Sequence, residues 1–335
     1  MMESAAASRS GRSLDENAMA RITGIARAAP LDAQPFMVAG AVAQLNGDLS
    51  RARELYNAAR LRDPRAPAVR LLLADLELRS GQIDEGLSNL VAVVRVSPAM
   101  AAPVVPALAE FARTPGAVAK MRSALSHNRM LADAIMDQLA TDPDNAALLF
   151  SLAPASGRLS SGLAPWQQRL IDSTVAAGHA GLARRYWARF NSVGPGAPGS
   201  IYNPGFRKLP ASPPFNWSLF SGSAGIAELV PDGGLSIMHF GREPSSLARQ
   251  LLTLGPGTYN IQSRFAGRPP SGRLQWRIQC LAGAPPTTVP ASVDGANFRI
   301  GPDCPAAWLD LYAVPSDSGS RLDAVLQQVA LRRIG

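Results

Sequence analysis

The chain has 335 residues, 47% of them hydrophobic, and a formal net charge of +8. That length exceeds one comfortable core and suits two domains, and the apolar content excludes wholesale disorder. Charge is evenly spread, with 12 basic and 8 acidic residues from 201 onward against 21 and 17 before it, so no basic arm marks a nucleic-acid partner, while acidic polymers or anionic surfaces suit the arginine-rich balance.

Residues 1–14 are Ser/Ala-rich and read as a disordered leader with no apolar segment of a secretory signal. A helical domain is expected over residues 15–192, opened by a capping helix from Asp15 and Glu16 to Arg27. A frame of 34 residues set at Ala33 then repeats at Pro67. Gly47 and Gly81 fall at the same frame position, the turn between paired helices. Pro64 and Pro98 coincide where the second helix must stop. Gly40 aligns with Ala74 and Ala52 with Gly86, small residues where helices cross closely, and Tyr56 aligns with Leu90. This pattern resembles the tetratricopeptide repeat family. Each pair leaves one face apolar, which only a stacked neighbour buries.

The resemblance implies a concave face built from the first helix of each pair, a groove for an extended peptide or a partner helix. Carried over by frame position, that face holds Met37, Ala41, Gln44 and Leu45 in one copy and Leu71, Asp75, Leu78 and Arg79 in the next. Met37, Gln44, Leu71, Asp75 and Arg79 are the expected partner-binding residues. Beyond residue 100 the repeat decays into degenerate hairpins. Trp166–Phe190 reads as the last, turning at Ala177-Gly178. The most apolar window, Val91–Ala112, contains Arg95, three prolines and Glu110, so no transmembrane segment is expected.

Residues 193–214 are rich in Gly, Pro and Ser and read as a linker. After them the period changes from helical to two-sided, predicting an antiparallel β-sandwich over residues 215–335. Leu274, Trp276, Ile278 and Cys280 alternate with Arg273, Gln275, Arg277 and Gln279. Tyr259, Ile261, Ser263 and Phe265 alternate with Asn260, Gln262 and Arg264. Leu309, Leu311 and Ala313 alternate with Trp308, Asp310 and Tyr312, and Val325, Val329 and Leu331 mark the last strand. Eight or nine short strands of this kind suggest a sandwich or jelly roll. Trp217 and Trp276 read as core residues. Cys280 and Cys304 are either a disulfide or two buried thiols; 23 residues lie between them.

The run ARQLLTLGPGTYNIQSRFAG, then a Trp-bearing strand and the closing LDAVLQQVALRRI, resembles jelly-roll carbohydrate-binding modules. The chain as a whole is similar to α-proteobacterial tetratricopeptide proteins ending in a sandwich with the motif PPFNW, here Pro213–Trp217. On the polar side of the strands, Gln262, Arg264, Gln275, Arg277, Gln279, Trp308, Asp310 and Tyr312 offer amides, guanidinium groups and rings suited to a glycan, particularly an acidic one. The bland alternative is the solvated face of an ordinary sandwich.

No nucleophile elbow, metalloprotease pair, phosphate loop or dinucleotide fingerprint occurs, the three histidines lack ligand spacing, and no pair of carboxylates stands out. No metal or other cofactor is expected. The sequence therefore predicts a multidomain α + β chain, an α-helical solenoid followed by an antiparallel sandwich. Its expected role is a non-catalytic adaptor that holds a protein partner and an acidic polysaccharide in cell-envelope or exopolysaccharide assembly. The rivals are an intracellular scaffold without a sugar site and a glycan-modifying enzyme. A Cys280–Cys304 disulfide would point to the envelope or periplasm, with an anchor missing from this chain; free thiols would point to the cytoplasm.

Overall fold

The computed structural model describes residues 16–126, 128–153, 162–194, 196, 199–208, 211–267, 272–316 and 318–335; the expected leader and Asp15 lie outside them. Two compact units divide the chain, one from residues 1–139 and 145–153, the other from 140–144 and 154–335.

The first unit is helical. Its elements are α1 (Glu16–Ala28), α2 (Gln34–Leu45), α3 (Leu49–Arg62), α4 (Pro67–Arg79), α5 (Ile83–Val96), α6 (Ala101–Ala112), α7 (Ala117–Leu125), α8 (Arg129–Leu139) and α9 (Ala146–Leu152). The pairs α2/α3 and α4/α5 are the two expected repeats. Each turns on a glycine in the left-handed region, Gly47 at φ +82° and Gly81 at φ +75°, where a side chain would be strained. Proline opens the first turn of α2 and of α4, where its missing N–H costs nothing. Asp48 caps α3 by accepting from Arg51 N at 2.9 Å. Small residues do what their frame positions suggest: a Cβ on Gly40 would lie 2.5 Å from the Tyr56 ring. Ala52, Tyr56, Ala59, Val69 and Leu73 are fully buried together and join the two pairs.

The second unit opens with a helical hairpin, α10 (Pro165–Ala176) and α11 (Ala180–Asn191), turning on Gly178 at φ +82°. Ten strands follow among the described residues: β1 (Ser218–Leu219), β2 (Gly225–Leu229), β3 (Leu235–His239), β4 (Ser245–Thr253), β5 (Gly257–Ala266), β6 (Leu274–Cys280), β7 (Thr287–Pro290), β8 (Ala296–Ile300), β9 (Ala306–Ala313) and β10 (Leu322–Arg333). They form two five-stranded sheets, β1-β4-β9-β6-β7 and β2-β3-β10-β5-β8. Every pairing is antiparallel. Strands β3 to β10 cross between the sheets in the order of a jelly roll. The inner faces are the ones the alternation marks. Trp276, Ile278, Leu309 and Leu311 from one sheet meet Ile261, Phe265 and Phe298 from the other in a single core, with Trp217 among them.

Three expectations change. The hairpin expected as the last repeat groups with the sandwich unit. Ile171, Ala183 and Trp187 share a buried cluster with Phe215, Leu251 and Ala306, so the hairpin covers one end of the outer face of β4 and β9. The stretch expected as a linker, 193–214, is tied to the sandwich at several points. Gly199 N donates to Thr253 O and Val329 N to Pro204 O, the Gln250 amide holds both backbone groups of Tyr202, and Phe206 is fully buried in the core, stacked on Trp217. Finally, alternation on β10 slips at a bulge between Leu326 and Gln328. Leu326 joins Val329 inside, and Val325 falls on the outer side.

Candidate functional site

The concave-face candidates of the helical unit come together in part. Tyr56 Oη donates to Gln44 Oε1 at 2.9 Å, Gln44 Nε2 donates to Asp75 Oδ2 at 3.0 Å, and Arg79 Nε donates to Asp75 Oδ1 at 2.7 Å. This relay runs from a buried ring through half-buried amide and carboxylate to an exposed guanidinium, across the seam between repeats. Burial first, and the Asp75 charge second, push the Tyr56 hydroxyl up to about 12. Met37 lies elsewhere, in a cavity of about 570 Å³ with Leu31, Val38, Arg62 and Ala66. Leu71 is half-buried and joins neither group. The relay makes Gln44 and Asp75 seam-holders first; Arg79 and Leu45 are the exposed members of the expected face.

On the sandwich, the eight candidates split into two groups. Gln275, Arg277, Gln279, Trp308, Asp310 and Tyr312 share the outer face of the first sheet, whereas Gln262 and Arg264 lie on β5, on the outer face of the second. The single face expected from alternation is therefore two faces. Alternation reports which side of its own strand a residue occupies; it does not report which sheet the strand joins.

On the first sheet the cross-strand register builds three rows. Arg249 on β4 opposes Asp310 on β9, which opposes Arg277 on β6. One step along, Leu251, Trp308 and Gln279 align; one step the other way, Ser246, Tyr312 and Gln275 align. The arginines lean diagonally onto rings of the neighbouring rows. Arg249 Cζ lies 4.1 Å from the Trp308 ring centroid and Arg277 Cζ lies 4.3 Å from that of Tyr312. Each ring thus fixes a guanidinium plane by cation–π contact. The rings therefore act as platforms for the arginines on that side.

Asp310 stands between the two arginines and accepts a hydrogen bond from the Ser246 hydroxyl. Burial pushes its carboxyl above the usual carboxylate range; the Ser246 bond and the two cations pull it back. Among the described residues no ion pair within 4.0 Å ties either arginine to it, and Arg249 Nε is buried without a hydrogen-bond partner. Arg249 and Ser246 escaped the sequence reading. The bulge between Ser246 and Ala248 breaks the alternation of β4 just where their side could have been read.

The disulfide alternative for the cysteines is the one formed. Cys280, ending β6, bonds Cys304 with Cα atoms 5.5 Å apart, within the range for a disulfide. Among the described residues no cluster of three or more His, Cys, Asp or Glu could hold a metal, and no helix is long and apolar enough to cross a membrane.

Residues 43–95 match the tetratricopeptide repeat family. This span covers most of α2/α3 and α4/α5. Among curated proteins none matches the chain. Solved structures similar to it include YrrB, described as a TPR protein with an unusual peptide-binding site, at 13% identity over 52% of this chain and 92% of that one, TM-score 0.28. Another is BtubC from P. vanneervenii, at 18% identity over 59% and 95%, TM-score 0.25. A third is the structure of accessory secretory proteins 1, 2 and 3 of Streptococcus pneumoniae, at 10% identity over 33% and 87%, TM-score 0.27.

Proposed function

We propose that this chain, a tetratricopeptide-type protein-interaction scaffold carrying two antiparallel sheets, is a non-catalytic adaptor that holds a protein partner on its helical stack and an acidic polysaccharide on its sandwich. The observation that carries the second half is the Arg249–Asp310–Arg277 row, with each guanidinium laid on a ring and tied by no ion pair within 4.0 Å among the described residues. Planar guanidinium groups hold carboxylates in a fork, and the flanking Gln275 and Gln279 amides suit sugar hydroxyls. In the three rows around Asp310 there is no second carboxylate, the partner that a glycosidase needs, which favours binding over turnover. The Cys280–Cys304 disulfide favours an oxidising compartment, and with it the cell envelope.

The test is affinity electrophoresis of the full chain through gels containing polygalacturonate or neutral dextran. Retardation by the acidic polymer, lowered about tenfold in Arg277→Ala, supports the reading. Equal retardation in both gels, or an Arg277→Ala protein that runs like the parent, removes it.

A further inference from the structure

A second polar cavity opens on the opposite sheet, outside the face just described. It measures about 550 Å³, and its side chains include Arg207, Asp232, Arg264, Gln327 and Gln328. None of the larger apolar side chains lines it. Three features build it. The bulge in β10 places the adjacent Gln327 and Gln328 at its floor, with Gln328 opposite Arg264 in the register. Bulges re-aim side chains beside sites. The extra residue would ordinarily disturb the ladder; here Val329 N is satisfied by Pro204 O at 2.9 Å. The strap 203–207 forms one wall and is fixed from within, because the Asn203 amide accepts from Arg207 N and donates to Arg207 O, each at 2.7 Å. The turn between β2 and β3 forms the other wall: Gly234 N donates to Gly205 O at 2.9 Å, and a Cβ on Gly233 would lie 3.4 Å from that same oxygen.

The lining is thus anchored by backbone bonds, while its side chains are left to solvent. Among the described residues the side chains of Arg207, Asp232, Arg264, Gln327 and Gln328 make no hydrogen bond or ion pair. Arg207 and Arg264 supply two fork-shaped donors and Asp232 one acceptor, so the lining favours a single negative charge. A dianionic phosphate would meet Asp232 as a like charge. The two glutamines donate and accept in fixed pairs, as vicinal hydroxyls require.

We propose that this cavity binds a carboxylated sugar unit, its carboxylate held by Arg207 and Arg264 and its hydroxyls by Gln327, Gln328 and Asp232. The site is separate from the Arg277 face and does not depend on that face binding anything. It is tested by calorimetric titration of the full chain with glucuronate, glucose and inorganic phosphate. In an Arg277→Ala background, which removes the other face's contribution, saturable glucuronate binding is expected, weaker by about tenfold when Arg264→Ala is added and measurably weaker with Gln328→Ala. Both variants replace side chains at the surface of an intact sheet, and their melting temperatures verify folding. The proposal is overturned by the absence of saturation at roughly 10 mM in that background, by equal binding of glucose, by tighter binding of phosphate, or by binding that Arg264→Ala leaves at full strength.

Discussion

Trp276 on β6 and Ser263 on β5 face each other from opposite sheets, and the indole Nε1 donates to the Ser263 hydroxyl at 2.9 Å in the buried core. The ring is fully buried and Ser263 nearly so. This bond is a polar stitch between the two inner faces. Ser263→Ala removes the acceptor and leaves the indole N–H orphaned, at a cost of about 1–3 kcal/mol. Denaturant unfolding followed by tryptophan fluorescence should show that loss. A change below about 0.5 kcal/mol would mean the indole finds another acceptor.

The two residues also show what could be read beforehand. Alternation alone places Ser263 among Tyr259, Ile261 and Phe265 on an inner face, and Trp276 among Leu274 and Ile278 on another. That they meet depends on how the jelly roll pairs strands far apart in sequence, which no local period encodes. The same limit merged Gln262 and Arg264 with the Arg277 face. Composition has a further blind spot. A Gly/Pro-rich stretch reads the same whether it hangs free or is strapped down, and only the buried Phe206 and the Gln250 clamp on Tyr202 distinguish them. In the helical unit more was legible, because Gly47, Gly81, Pro64 and Pro98 act through their own backbone and need no distant partner.

The repeat comparison makes a prediction about packing. The first repeat pairs Gly40 with Tyr56; the second carries Ala74 and Leu90 at the same frame positions. Gly40→Ala sets a methyl 2.5 Å from the Tyr56 ring and should destabilise the helical unit by about 1–3 kcal/mol. Adding Tyr56→Leu reproduces the second repeat and should recover part of that loss, less the hydrogen bond to Gln44. A thermal-melt double-mutant cycle checks the coupling. Strict additivity would mean the two side chains do not compete for space.

Tyr56 also sets an alkaline limit. Its folded-state value, about 12, lies above the ordinary tyrosine value of 10.0. The folded state therefore holds its proton where the unfolded state releases it. The stabilisation is complete below pH 10 and is lost as pH rises toward 12. Tyr56→Phe should be somewhat less stable at neutral pH, lacking the bond to Gln44, and should lose less stability on going alkaline. Parallel slopes for the two proteins would contradict the assignment.

The disulfide closes a loop between β6 and the approach to β9. Reduction, or Cys280→Ser with Cys304→Ser, releases chain entropy in the unfolded state worth about 3 kcal/mol for a loop of this length. The sandwich transition should move to lower denaturant while the helical unit's transition stays in place. If both move together, the two units unfold as one.

Asp310 determines how the Arg277 face responds to pH and charge. Its carboxyl lies between two guanidinium groups that the proposed acidic polymer needs, and while ionised it repels that polymer. Because burial holds its titration above the usual carboxylate range, Asp310 gains its proton before the polymer's uronate groups gain theirs. Binding of polygalacturonate should therefore strengthen as pH falls through mildly acid values, and weaken only once the ligand itself is protonated. Asp310→Asn should bind roughly threefold tighter at neutral pH and lose the acid-induced gain, while Arg277→Ala should weaken binding throughout. Salt should weaken both proteins, and the Asn variant more steeply, because in the parent salt also screens the repulsion from Asp310. If Asp310→Asn instead weakens binding, the carboxylate is accepting sugar hydroxyls, and the ligand on this face is neutral.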